Sequence, residues 1–213
     1  QSALLGCAFL LYDLIEFIKT KKNNDIMLNG SIAKNIIVYT LPIILTSFLQ
    51  LLFHAADLII VGQFCSELSL AAVGGTGALT NLIVTLFIGF SVGTNVSVAR
   101  AMGAGETDSV KKAIHTALPT ALVCGILVAT IGVTCSESLL KMMDTPDTVL
   151  PLSSLYMKIY FMGAPFMMVY NFCAAILRAA GDTKSPLVFL SIAGVLNVGL
   201  NYIFVTAFDM NVA

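Results

Sequence analysis

The chain has 213 residues, 58% of them hydrophobic and 11% charged, with a net charge of −1 and a mean hydropathy of +0.93. A soluble domain carries about 25% charged residues, so a core wrapped in a charged surface is excluded, and no basic cluster is dense enough to engage nucleic acid. The uncharged runs are long and continuous, unlike the short alternating strands of a membrane barrel, and predict an all-α polytopic membrane helical bundle.

Residues 1–26 open with an apolar stretch, Ala3 to Leu11, followed by Asp13 and Glu16 and no clean small-residue cleavage site. That pattern fits an upstream or interfacial segment better than a signal peptide. Met27 then opens Leu28-Asn29-Gly30-Ser31, and residues 27–213 read as one transmembrane bundle.

The first span runs from about Ile36 to Gly62, long enough to cross a hydrocarbon core that needs about 20 apolar residues. Asp57 is its one carboxylate. An acid at membrane depth must face a polar cavity, pair, or take up a proton; the alternative is a place at the headgroup level near the helix end. Gln50, His54 and Asp57 follow i, i+4, i+7 spacing and share one face, and such a stripe must face protein or water. His54 either extends a proton path or is a hydrogen-bonded structural histidine. Pro42 removes a backbone hydrogen bond and can kink the helix, so a bend there would move one half of the span relative to Asp57.

A handful of residues later the second span begins, within Leu68 to Val98, which predicts a tight antiparallel hairpin. Gly89, Gly93, Ser97, Ala101 and Gly105 recur every four residues, a small-residue stripe suited to close helix approach, as static packing or as a sliding seam. Gly74, Gly75 and Gly77 follow no strand and lack a Walker Lys-Ser/Thr, so no nucleotide loop is assigned. The third span covers Ala113 to Val133, with Pro119 near its start, and the fourth Leu155 to Leu177, with Pro165 inside it and Tyr170 and Asn171 as polar members. Leu187 to Phe208 forms the fifth, carrying Asn197 and Asn201 one turn apart. Singly, each Asn is commonly a helix-to-helix hydrogen bond; together with the Asp57 stripe they suggest one polar chamber among the first, fourth and fifth spans. The five cysteines lack metal-ligand spacing, so neither a disulfide framework nor a metal site is expected.

Orientation follows from the cations. Lys19, Lys21, Lys22, Lys34, Arg100, Lys111, Lys112, Arg178 and Lys184 fall on one side of the spans, with Lys141 and Lys158 at or near the other. The positive-inside rule then predicts a multi-pass protein of the cell membrane with a cytoplasmic N-terminus.

Several motifs, in order, resemble the multidrug and toxic compound extrusion (MATE) transporters. They are Leu41-Pro42, Asp57-Leu58-Ile59-Ile60-Val61-Gly62, Leu70-Ala71-Ala72-Val73-Gly74, Arg100-Ala101-Met102-Gly103-Ala104-Gly105, Leu177 to Pro186, and Leu196-Asn197-Val198-Gly199-Leu200-Asn201. The resemblance implies one lobe of a two-lobe transporter, with five complete helices here, an end before or at the sixth, and a missing C-terminal lobe as partner. By the same resemblance Asp57 binds the coupling H⁺ or Na⁺, and Asn197 belongs to the same site. Asn201 stands where several relatives carry Asp, which weakens Na⁺ binding and favours a proton. Gln50 and Asn171 line the substrate chamber, and Pro42 is the bending point. The implied function is secondary antiport of small-molecule organic cations or drugs, with no enzyme activity and no cofactor beyond the coupling ion. A lipid-linked oligosaccharide flippase of the same superfamily, or a non-transporting membrane scaffold, are the alternatives. The flippase would want cations facing the chamber, and only Lys158 lies deep, near one edge; the scaffold predicts no aligned polar stripe.

Overall fold

The computed structural model describes residues 31–207, all helix and short turns with no strand among them. The expected segment 1–26 and the approach to a sixth helix lie outside the described residues. The described residues form seven helices: α1 (Ile32–Phe64), α2 (Glu67–Gly75), α3 (Gly77–Gly103), α4 (Thr107–Met142), α5 (Leu150–Met162), α6 (Ala164–Ala179) and α7 (Lys184–Ala207).

They make five spans. α1, α4 and α7 are each long and apolar enough to cross a membrane, and α2 and α3 together form a fourth such run, Glu67–Gly103. The fifth is broken: α5 and α6 meet at 46° around Gly163. The sequence placed Pro165 inside the fourth span, where a proline can kink its helix. It sits in the first turn of α6, directly after the bend, where its missing N–H costs nothing and its fixed φ suits helix initiation. The same ring would clash with the preceding turn of an uninterrupted helix. By contrast, α1 continues through Pro42 and α4 through Pro119. Near Pro42, the Thr46 hydroxyl donates to the Pro42 carbonyl at 2.7 Å.

Local signals fix the turns. After α3, the amide of Glu106 bonds to the Ala101 carbonyl and that of Gly105 to Met102, with Gly105 at φ +73°. After α6, Asp182 bonds back to Leu177 and Gly181 to Arg178, with Gly181 at φ +88°. Both are left-handed helix stops, a conformation that glycine adopts without penalty. The α4 stop uses the same pattern with Asp144 at φ 54°, one of the few side chains that tolerate it. Asp182 then starts α7: its carboxylate accepts from the amides of Lys184 and Ser185, both at 3.0 Å, and from the Ser185 hydroxyl at 2.6 Å. The Gly181-Asp182-Thr183-Lys184-Ser185-Pro186 motif is therefore a stop followed by a cap.

α6 is the centre of the bundle, packed against α3 and α4, with every residue from Phe172 to Leu177 buried. Phe87, Ile114, Met157 and Met168 complete this core. The closest approaches occur at glycines outside the small-residue stripe. A methyl group on Gly125 of α4 would meet the Pro165 backbone of α6 at 2.5 Å, one on Gly132 would strike the Phe161 ring, and one on Gly194 of α7 the Phe53 ring of α1. Gly89, Gly93 and Gly105 have nothing within 4 Å of such a methyl among the described residues. The expected close packing along that stripe is thus absent within the described bundle.

α1 is peripheral. It packs on α7 and on α2, and most of its large apolar residues, including Ile36, Leu41, Ile44, Phe48, Leu51 and Ile59, remain exposed.

Candidate functional site

Asp57 lies on α1 seven residues before the helix ends, about 10 Å along the axis. It is half-buried, and its Oδ1 accepts a hydrogen bond from Asn201 Nδ2 of α7 at 2.7 Å. The same amide group lies 3.4 Å from Asn197 Oδ1, one turn earlier on α7. A carboxylate from one span and two carboxamides from another thus converge, and a bond to an ionised acceptor is stronger than one between neutral groups.

Two contacts hold α1 and α7 in this register. The Phe53 ring seats against Gly194 one turn before Asp57, and Phe64 meets Tyr202 edge-on with ring centroids 5.7 Å apart. A third tie reaches the far half of α1: the Tyr39 hydroxyl donates to the Arg178 carbonyl at the end of α6, 2.9 Å away. Tyr39 and Asp57 are eighteen residues apart, close to five turns at about 3.6 residues each, so both mark the face of α1 that looks into the bundle. Gln50, half-buried, lies within about 20° of that face at 100° per residue. His54 is exposed, some 60° round from it, and within electrostatic reach of Asp57.

The sequence-derived residues do not all assemble. Asp57, Asn197 and Asn201 are bonded together, with His54 beside them. Pro42 is buried fifteen residues away, its carbonyl occupied by Thr46. On α6, Asn171 turns its amide back onto the Met167 carbonyl of its own helix at 2.8 Å. The Tyr170 hydroxyl is buried without a hydrogen-bond partner among the described residues, and Arg178 is the charge in its reach. No hydrogen bond among the described residues joins either side chain to the Asp57 group.

Sequence reasoning missed three polar residues. Tyr156 of α5 lies within electrostatic reach of Asp57 and stacks on Tyr160, with centroids 6.4 Å apart. Its signal was available: two tyrosines one turn apart in a membrane span place hydroxyls that must find polar surroundings. Tyr39 was legible through its whole-turn spacing from Asp57. Asn95 of α3 donates to the Ala175 carbonyl of α6 at 2.8 Å, and nothing in its local sequence pointed there. No group of three or more His, Cys, Asp or Glu side chains that could hold a metal ion occurs among the described residues.

A multi-pass helical membrane protein with one acid bonded to an asparagine pair across two spans is the class that this geometry defines. The MatE family profile matches residues 42–203, and the chain belongs to that family. It is 30% identical over 186 residues to the probable multidrug resistance protein YpnP of Bacillus subtilis, covering 86% of this chain and 41% of that protein. A FAD transporter of Shewanella oneidensis is 27% identical over 84% of this chain and 40% of its own length. Among solved structures, an outward-facing multidrug resistance MATE transporter of the MOP superfamily superposes with a TM-score of 0.81 at 26% identity, covering 90% of this chain and 42% of that one. The chain spans about two-fifths of the relatives it matches.

Proposed function

We propose that this chain supplies the ion-coupled lobe of a secondary antiporter that exports organic cations in exchange for H⁺ or Na⁺, with Asp57 as the exchange point. The observation that carries this reading is the Asp57–Asn201 bond between α1 and α7, the meeting of an intramembrane carboxylate with a neutral partner. Such a site holds one positive charge at a time. Desolvation disfavours a bare carboxylate, so a closed, dry cleft favours the state in which Asp57 is neutralised by the coupling ion. A cleft that opens to water or admits an organic cation favours the free carboxylate. Alternating access of two lobes would turn that competition into vectorial exchange.

Gln50, His54 and Tyr156 border the same face and would contact cargo; Pro42 would let the two halves of α1 move separately. The positive charges of Lys34, Arg100, Lys111, Lys112, Arg178 and Lys184 support a cytoplasmic placement of the α3–α4 and α6–α7 turns. A second reading, export of an anionic cargo, is suggested by the relative that transports FAD. It finds less support here, because Lys158 lines a groove with Glu137 rather than the Asp57 face.

The test uses the full-length protein in proteoliposomes with ethidium as the cargo. Asp57→Asn is expected to insert normally and to abolish ethidium movement driven by an imposed H⁺ or Na⁺ gradient. Unchanged gradient-driven export by that variant would refute the assignment. Transport of FAD but not ethidium by the parent would favour the second reading.

A further inference from the structure

Between α4 and α5, near the turn that joins them, lies a groove of about 290 Å³ lined by Glu137, Leu150, Pro151, Ser154, Leu155 and Lys158. None of its lining residues belongs to the Asp57 group described above. Two of its polar groups are unspent. Lys158 is half-buried and forms no ion pair among the described residues, because the nearby Glu137 carboxylate is taken by Lys141 at 2.9 Å. Ser154 is only 5% exposed, and its hydroxyl has no hydrogen-bond partner among the described residues. A buried hydroxyl left unmade costs about 1–3 kcal/mol.

The remaining walls are apolar, and Leu155 is open to the surroundings. Lys158 stands eight residues into α5, about 12 Å from its first residue, and Glu137 five residues before the end of α4, about 8 Å. That depth is where headgroups give way to acyl chains, since each interfacial layer is about 5–8 Å thick. Of the charged groups lining the groove, Glu137 is paired with Lys141 and Lys158 is the cation outside any ion pair among the described residues. A ligand suited to this groove has an anionic phosphate for the ammonium and hydroxyl, and a hydrocarbon tail for the leucines.

We propose that the α4–α5 groove is a binding site for an anionic phospholipid, whose phosphate accepts from Lys158 Nζ and Ser154 Oγ while an acyl chain lies along Leu150 and Leu155. Lys158 supplies the charge preference and Ser154 the depth. The lipid satisfies a hydroxyl that the protein leaves empty, and it bridges the two helices at their loop end.

The test is native mass spectrometry on full-length protein reconstituted with equal amounts of phosphatidylglycerol and phosphatidylcholine, then stripped with mild detergent. The parent is expected to retain phosphatidylglycerol about fivefold over phosphatidylcholine, because both carry the phosphate but the choline ammonium cancels its charge and is repelled by Lys158, a difference of about 1 kcal/mol per lysine. Lys158→Gln should bring the ratio close to one, Ser154→Ala should lower retention several-fold, and Lys141→Gln should leave the preference in place. Equal retention of phosphatidylglycerol by parent and Lys158→Gln overturns the proposal. So does displacement of the lipid by millimolar inorganic phosphate, which would make the groove a plain anion site without need of a chain.

Discussion

Gly125 offers a sharp test of the packing that supports the site. An added methyl there would sit 2.5 Å from the Pro165 Cα, 3.2 Å from the Pro165 nitrogen and 3.2 Å from the Met168 Cβ. Carbon atoms pack at about 3.5–4.0 Å, so α4 and α6 would have to part by roughly 1 Å, and the atom in the way is backbone that cannot rotate aside. Overpacking of this kind costs about 1–3 kcal/mol. Gly→Ala in a helix also returns about 0.8–1 kcal/mol of intrinsic propensity, so the single variant mixes two effects. Gly93→Ala supplies the propensity gain alone, because a methyl at Gly93 meets nothing within 4 Å among the described residues. The difference between the two variants isolates the steric cost. Gly194→Ala should fall between them: its methyl strikes the Phe53 ring, a side chain that can swing at some cost to the α1–α7 contact. Thermal denaturation of the detergent-purified full-length protein should rank the three as Gly93→Ala most stable, then Gly194→Ala, then Gly125→Ala. Gly125→Ala no less stable than Gly93→Ala would refute the α4–α6 arrangement.

Removing the α7 cap by Asp182→Ala should cost about 1 kcal/mol, visible as faster amide exchange at Lys184 and Ser185 with the rest of the bundle unchanged. Tyr39→Phe deletes the hydroxyl that reaches the Arg178 carbonyl; a loss of about 0.5–1.5 kcal/mol should loosen residues 32–42, read as increased labelling of a cysteine placed at Ile36. Pro42→Ala is expected to slow ethidium turnover more than it weakens ethidium binding, and equal activity of variant and parent would remove Pro42 from the mechanism.

Much of the architecture was legible because membrane burial writes strong signals. Spans of about twenty uncharged residues can do little else, and the first, third and fifth were located directly, though α4 extends well beyond the expected 113–133 because its polar ends still favour helix. Asp57 stood out for the same reason: one carboxylate in an apolar run must be accounted for. The split of the fourth span was not legible. A proline can either kink a helix or start a new one, and in this bundle Pro165 sits at the break with Gly125 of α4 packed against its backbone. The small-residue stripe misled in the opposite direction, since periodicity shows which residues share a face and not what that face meets. Tyr156 was overlooked because its partner lies on another span, a hundred residues away in sequence.

The ties on α1 explain why a single acid can matter to the movement of a whole helix. Along its 33 residues α1 is held by the Tyr39 bond at one end and, beyond Pro42, by the Phe53–Gly194 contact, the Asp57–Asn201 bond and the Phe64–Tyr202 pair. Pro42 thus lies between the Tyr39 tie and these three contacts, of which the Asp57–Asn201 bond depends on charge. Protonating Asp57 would convert a charge-assisted bond to Asn201 into a weaker neutral one, a change of about a factor of two in bond strength. Because α1 buries little else, that change is a sizeable share of what keeps its second half on α7. On the proposed function, ion occupancy and helix position would be coupled through this contact, and a variant that replaces it by apolar packing, such as Asp57→Leu with Asn201→Leu, should leave α1 docked whatever the pH. Cysteine cross-linking between the Phe53 and Gly194 positions, normalised at each pH to the thiol reactivity of the single-cysteine variants, would read it: a normalised yield that still varied with pH in the double variant would break the coupling proposed here.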